Sequence, residues 1–198
     1  MIRRAVLAAL LALGVAGPGH ADDKPALTRV EVRDGRLHIA GDLDATTGPR
    51  VRAALAAHPE VDEVVLGRIP GSVDLDRTLE LGRWLRAGGF DTYLTSDSAI
   101  FSGGVDLFLS GVRRRMEAGA RIGVHAWSDA NGQATDYGLT DRTHRNSRGY
   151  VRTMLGSDDF YWFAVKAAPA SRIHTLTPKE IARYGLLTAP VIEPQGDD

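Results

Sequence analysis

From Arg36 to Thr95 the apolar pattern keeps switching between two periods, and this alternation constrains the fold more than any other feature of the chain. Leu27 to Val32 alternates with period two, Asp34-Gly35 supplies a hairpin turn, and Arg36 to Ala40 returns as a second strand. Gly48-Pro49 then opens a helix with Val51, Ala54, Leu55 and His58 on one face, which Pro59 stops. Val61 to Leu66 reads as a buried strand. After Pro70-Gly71, Leu75, Leu79, Gly82 and Leu85 form a second helical stripe, closed by Gly88-Gly89, and Phe90 to Thr95 is again a strand. Strands separated by helices are joined by crossovers, so the order implies a mostly parallel sheet in an α/β domain.

The second half follows the same logic less regularly. Ser102-Gly103-Gly104 opens an apolar helical stretch to Ser110, and strands at Val112 to Glu117 and Ala120 to His125 meet at a tight turn on Gly119. Residues 126–149 are polar with no fixed period and read as a long loop or lid. A helix starts at Asp159 and ends at Pro169. Thr177-Pro178-Lys179-Glu180 combines an N-cap threonine, proline at the first helical position and a glutamate that returns a bond to the cap. Gly185 ends that helix, Leu186 to Ile192 is expected to form a last strand, and the tail from Glu193 to fray.

Arg3 and Arg4, the apolar run Ala5 to Val15 and the small residues up to Ala21 have the order of a secretory signal peptide. The apolar run is about half of the roughly 20 residues that span a bilayer. The expectation is a leader over residues 1–21, a single domain over 22–198 without a membrane span after processing, and a periplasmic or secreted location. With 24 basic and 25 acidic residues the net charge is -1, which offers no polycationic surface for nucleic acid. The chain has no cysteine, which excludes disulfides, thiolate nucleophiles and iron–sulfur clusters. Covalent catalysis would run through Ser, Thr, Lys or a carboxylate.

Ser102 lies where a strand gives way to a helix, so the Gly103 N–H has no intrahelical partner and can face developing negative charge. The other use of Ser-Gly at such a place is a plain helix cap. Gly71, in the Pro-Gly-Ser turn after the Val61 strand, is a second oxyanion candidate, or an ordinary turn residue. His125 ends an apolar strand 23 residues after Ser102. Strand ends of a parallel sheet gather at one crevice, which makes His125 the best base and places it within hydrogen-bond reach of Ser102. His38, His58, His144 and His174 have no metal-site spacing, and no metal or cofactor is expected. Trp127, Tyr161, Trp162 and Phe163 either pack the core, line an apolar pocket or form a contact between copies.

Five segments in order resemble the ClpP/crotonase superfamily, and within it the ClpP-like serine peptidases and their exported bacterial relatives. They are Ile69-Pro70-Gly71-Ser72-Val73, Ser102 to Gly104, Arg121 to His125, Gly132 to Asp136, and Leu176-Thr177-Pro178 through Tyr184-Gly185-Leu186. The resemblance spans residues 61–186. It implies repeated β-β-α units with a mostly parallel sheet, a Ser–His peptidase site, an extended substrate chain held by the Gly71 loop, and rings or trimers of subunits. The family usually shows two glycines around that proline, and here there is one. In the ClpP-like peptidases an aspartate precedes the last helix start, and the matching position here is Ile173. Asp158, Asp159 or Asp136 would have to orient His125 instead, with the plain alternative that Asp158-Asp159 caps a helix. A Ser–Lys dyad would need Lys166, which lies on an amphipathic helix.

Two functions fit these residues. One is an exported serine hydrolase, a peptidase acting on peptides or proteins, with Ser102 as nucleophile, His125 as base and Gly71 and Gly103 at the oxyanion. The other is an inactive exported binding module on the same fold. An acyl-CoA enzyme ranks third, since CoA is not expected outside the cytoplasm.

Overall fold

Asp34 and Gly35 both take positive φ, 52° and 69°, the pairing that a two-residue hairpin turn requires. They join β1 (Arg29–Arg33) to β2 (Arg36–Ala40) in an antiparallel pair. A computed structural model describes residues 28–194; the leader expected at residues 1–21 and the end of the tail lie outside them. After α1 (Thr47–Ala57) come β3 (Glu63–Leu66), β4 (Arg68–Ile69) and α2 (Leu75–Ala87). The same order returns as β5 (Asp91–Leu94), β6 (Ala99–Phe101) and α3 (Gly103–Leu109). It begins a third time with β7 (Arg114–Met116) and β8 (Arg121–Val124).

In each unit the first strand joins one sheet and the second strand joins another. The first sheet has the order β1-β2-β3-β5-β7, with every pair beyond the hairpin parallel. The second contains β4, β6 and β8 in parallel, edged by β11 (His174–Thr175), which runs antiparallel to β8. The fold is thus mixed α/β with mostly parallel sheets, as the alternation implies. Continuous strands expected over Val61 to Leu66 and Phe90 to Thr95 are shorter, because the chain turns from one sheet to the other just beyond them. The buried apolar residues form one cluster, with Leu37, Ile39, Val64 and Leu66 under the first sheet and Ile69, Ile100 and Phe108 near the second.

Two expectations fail. Residues 126–149 are not a bare loop: they hold the hairpin β9 (Ser128–Asp129) and β10 (Gly132–Gln133), two 3₁₀ turns, and the start of α4 (Arg145–Leu155). The apolar face of α4 is only Tyr150, Val151 and Met154, too narrow to stand out among Arg, Asn, Ser and Gly. Leu186 to Ile192 does not form a regular strand. Thr188 and Ile192 donate to the carbonyls of Arg114 and Met116 at 3.0 Å each, but Pro190 between them has no N–H to continue the ladder. The remaining elements are α5 (Asp159–Ala167) and α6 (Pro178–Arg183), and α6 opens with the expected capping box of Thr177 and Glu180. No helix among the described residues is long and apolar enough to cross a membrane.

Candidate active site

The parallel pairing of β6 with β8 brings two of the expected residues to one place. Phe101 pairs with Gly123, and the Ser102 N–H donates to the Gly123 carbonyl at 3.1 Å, so Ser102 and His125 leave adjacent strand ends. Ser102 has φ 51° and ψ −123°. Apart from the hairpin residue Asp34 it is the only non-glycine with positive φ among the described residues. Such a backbone costs on the order of 1–3 kcal/mol and persists where the surrounding structure enforces it. The Ser102 side chain makes no capping hydrogen bond to α3, which removes the plain cap reading.

The Pro-Gly-Ser turn lies against this corner. A Cβ built on Gly71 would sit 3.7 Å from the Ser102 Cβ, and one on Gly103 would overlap the Ser72 Cβ. The turn is held from behind: Leu43 donates to the Gly71 carbonyl at 3.0 Å, and the Ser72 and Thr78 hydroxyls are 2.7 Å apart. Neither Gly71 nor Gly103 gives its N–H to a backbone acceptor among the described residues. Two free amide donors therefore flank Ser102.

Ser102 and His125 line one pocket of about 70 Å³, walled by α2 through Leu75, by α4 through Ser147 and Val151, and by α5 through Phe160 and Tyr161. No hydrogen bond joins the two side chains. Instead Nδ1 of His125 lies 2.7 Å from the carbonyl oxygen of Ala126. A carbonyl only accepts, so Nδ1 carries the proton and, in the neutral ring, Nε2 holds the free lone pair. A backbone group thereby sets the tautomer that a triad sets with an acid.

The other acid candidates stand elsewhere. Asp158 binds Arg148 at 3.3 Å and Arg152 at 2.9 Å, and the Arg152 hydrogen bond holds its carboxyl below the usual carboxylate range. Its side chain does not cap α5; the Ser157 hydroxyl accepts the Asp159 N–H at 3.1 Å, and Asp159 is exposed. Asp136 accepts the Gln133 N–H at 2.9 Å in a local turn, and Lys166 is exposed on α5. None of the four lines the pocket. Ile173 does stand beside His125. β11 pairs His174 with Val124 and Thr175 with Gly123, so the next antiparallel step sets Ile173 opposite His125. Ile173 Cγ2 is 2.5 Å from where a Cβ on Gly123 would be, and Gly123 and His125 share a sheet face.

Asp106 in the pocket and His144, which packs against the wall residues Trp127 and Tyr161, were not legible as such. Asp106 lines the wall one turn after Ser102 on α3, and its surroundings push its carboxyl up to about 7 by desolvation. The available signal was a lone acid in the apolar run Val105 to Leu109. His144, buried between Trp127, Tyr161 and Trp162, has its Nδ1 2.6 Å from the Tyr161 hydroxyl, which also accepts from the Trp127 indole at 2.9 Å. Trp127 and Tyr161 thus form pocket wall. Among the described residues no three His, Asp or Glu side chains gather as a metal site. A larger apolar groove of about 660 Å³, between α6 and the turn after β7, contains neither Ser102 nor His125.

No family model matches the sequence, and no curated protein matches it. Solved structures do resemble it. A mutant of the 1510-N membrane-bound stomatin-specific protease superposes with a TM-score of 0.55 at 12% identity, over 81% of this chain and 78% of that one. A peptidase from Plasmodium falciparum gives 0.55 at 8% identity, over 81% of this chain and 96% of that one. An enoyl-CoA hydratase from Shewanella pealeana ATCC 700345 gives 0.50 at 10% identity, over 84% and 68%. The chain has the fold of the ClpP/crotonase superfamily. Peptidases and hydratases share that fold, so the reaction has to be argued from the site.

Proposed function

We propose that this protein is an exported ClpP-like serine hydrolase, a peptidase, in which Ser102 is the nucleophile and Nε2 of His125 the base. The observation that carries this reading is the strained, uncapped Ser102 on a strand end adjacent to His125, with both side chains lining one pocket. As Oγ of Ser102 attacks a peptide carbonyl, Nε2 takes its proton, and the Gly71 and Gly103 N–H groups donate hydrogen bonds to the oxygen on which negative charge develops. The imidazolium returns that proton to the leaving amine. A water molecule, deprotonated by the same nitrogen, then releases the acyl group and restores Ser102. The Ala126 carbonyl holds the ring in the competent tautomer but carries no full charge, so turnover is slow beside a complete triad. Export rests on the residue pattern of positions 1–21.

The second reading is an inactive binding module, favoured by Ile173 opposite His125 and by the absence of a Ser102–His125 hydrogen bond among the described residues. Labelling with a fluorophosphonate probe separates them. Wild type should be labelled at Ser102, His125→Ala weakly, and Ser102→Ala not at all. A wild type that stays unlabelled while folded leaves the binding module.

A further inference from the structure

The pocket beside Ser102 contains one ionisable group that the proposed hydrolysis does not use. Asp106 lies in the first turn of α3, just after Ser102 at the entry to that helix, and both residues line the pocket. Around it the wall is mostly apolar, formed largely by Leu75, Val105, Val124, Val151, Phe160 and Val165. Asp106 is half-buried, keeping accessible surface where it lines the pocket, and no hydrogen bond or neighbouring cation offsets the desolvation of its carboxyl.

Besides the hydroxyls of Ser102 and Ser147, which also line the pocket, the nearby polar groups are engaged elsewhere. The Tyr150 hydroxyl on α4 donates to the backbone carbonyl of Asp106 at 2.7 Å, and the Tyr161 hydroxyl on α5 bonds His144. Arg83 stacks over the Tyr150 ring at 5.3 Å, Arg86 spends its donors on the carbonyls of Leu109, Ser110 and Gly111, and Arg148 is held by Asp158. His125 gives its Nδ1 proton to Ala126. A carboxyl kept from water without a partner is costly, and the cost is recovered only when a donor enters with the ligand.

We infer that Asp106 determines specificity in a subsite for a cationic side chain, with lysine as the residue that fits. The inference rests on the reading of Ser102 as nucleophile only in placing this subsite next to the scissile bond. The free volume of about 70 Å³ equals roughly two water molecules. That accommodates an ammonium and its last methylene, with the apolar stem lying along the pocket mouth. A planar guanidinium is a bulkier head group and fits less well.

The test uses Ser102→Ala, so that nothing turns over, and follows the indole N–H resonance of Trp127 in a ¹H–¹⁵N spectrum, with the indoles of Trp84 and Trp162 for reference. The probes are Nα-acetyl-lysine methylamide and its norleucine counterpart, which has the same stem without the charge. The lysine probe should bind at least about tenfold more tightly at pH 8. Adding Asp106→Asn should remove that preference while norleucine binding persists; Asp106→Glu, which keeps the charge, should retain part of it. Equal affinities for the two probes, or a lysine preference that survives Asp106→Asn, would overturn the inference. Fluorophosphonate labelling of the wild type is scored separately. A lysine preference in an unlabelled protein keeps the subsite and removes the hydrolase.

Discussion

If Ser102 and His125 act as proposed, replacing Ile173 with aspartate should turn a slow Ser–His pair into a faster triad. Ile173 faces His125 across β11 and β8, on the sheet face that Gly123 shares, so a carboxylate there comes within a few ångströms of the imidazole. In a serine protease triad, loss of the acid costs about 10⁴ in turnover, part of it through the wrong tautomer. Here the Ala126 carbonyl already sets the tautomer, which leaves only the stabilisation of the imidazolium to be gained. Two unit charges about 4 Å apart interact by roughly 4 kcal/mol at an effective dielectric of about 20. Ile173 is 44% exposed, so solvent screens much of this, and about 1.4–2.8 kcal/mol should remain. That corresponds to a rate gain of about 10- to 100-fold. The assay is the second-order rate of fluorophosphonate labelling together with hydrolysis of an activated ester, for wild type, Ile173→Asp and Ile173→Asn. The aspartate variant alone should accelerate. If Ile173→Asp is folded and no faster than Ile173→Asn, or if Ser102→Ala fails to abolish the gain, the assignment of His125 as base to Ser102 is wrong.

Four further outcomes are expected. Asp106 titrates near 7 in the fold against an ordinary 3.8, so the unfolded chain loses its proton first and stability falls as pH rises from about 4 to about 7. Asp106→Asn should therefore leave the melting temperature near pH 4 unchanged and raise it at pH 8, by a difference on the order of 3–4 kcal/mol in stability, measured by thermal melts at both pH values. Gly103→Ala forces a Cβ into Ser72. It should cost roughly 1–3 kcal/mol in denaturant melts and slow labelling by displacing the Gly71 turn. Asp158→Asn breaks only the pairs with Arg148 and Arg152, so labelling should be unchanged and stability should drop by no more than about 1 kcal/mol. N-terminal sequencing of the protein from an exported fraction should begin at Asp22; retention of Met1 in the cytoplasm would refute the leader.

The helices α1, α2 and α6, the β1–β2 hairpin and the alternation that demands a parallel sheet are all written in local spacing. A stripe at helical period, a Thr-Pro-x-Glu start and an Asp-Gly turn act within a few residues of themselves. The Ser-Gly-Gly corner and the histidine at a strand end are legible for the same reason. What local pattern does not carry is whatever depends on pairing between distant segments. Strands of two or three residues such as β4, β6 and β11 have no period to detect, and they exist because the chain crosses to a second sheet. The positive φ of Ser102 follows from where β6 must end and α3 must pack. Ile173 becomes a neighbour of His125 through a strand register 48 positions away in the chain, as the pairing of β11 with β8 sets it. Asp106 looks like one polar interruption in an apolar helix until α4 and α5 pack beside it and strip its carboxyl of much of its hydration. The chemistry of a side chain is set by its own atoms, but its protonation, its partners and its access to a substrate are set by what other elements bring within a few ångströms.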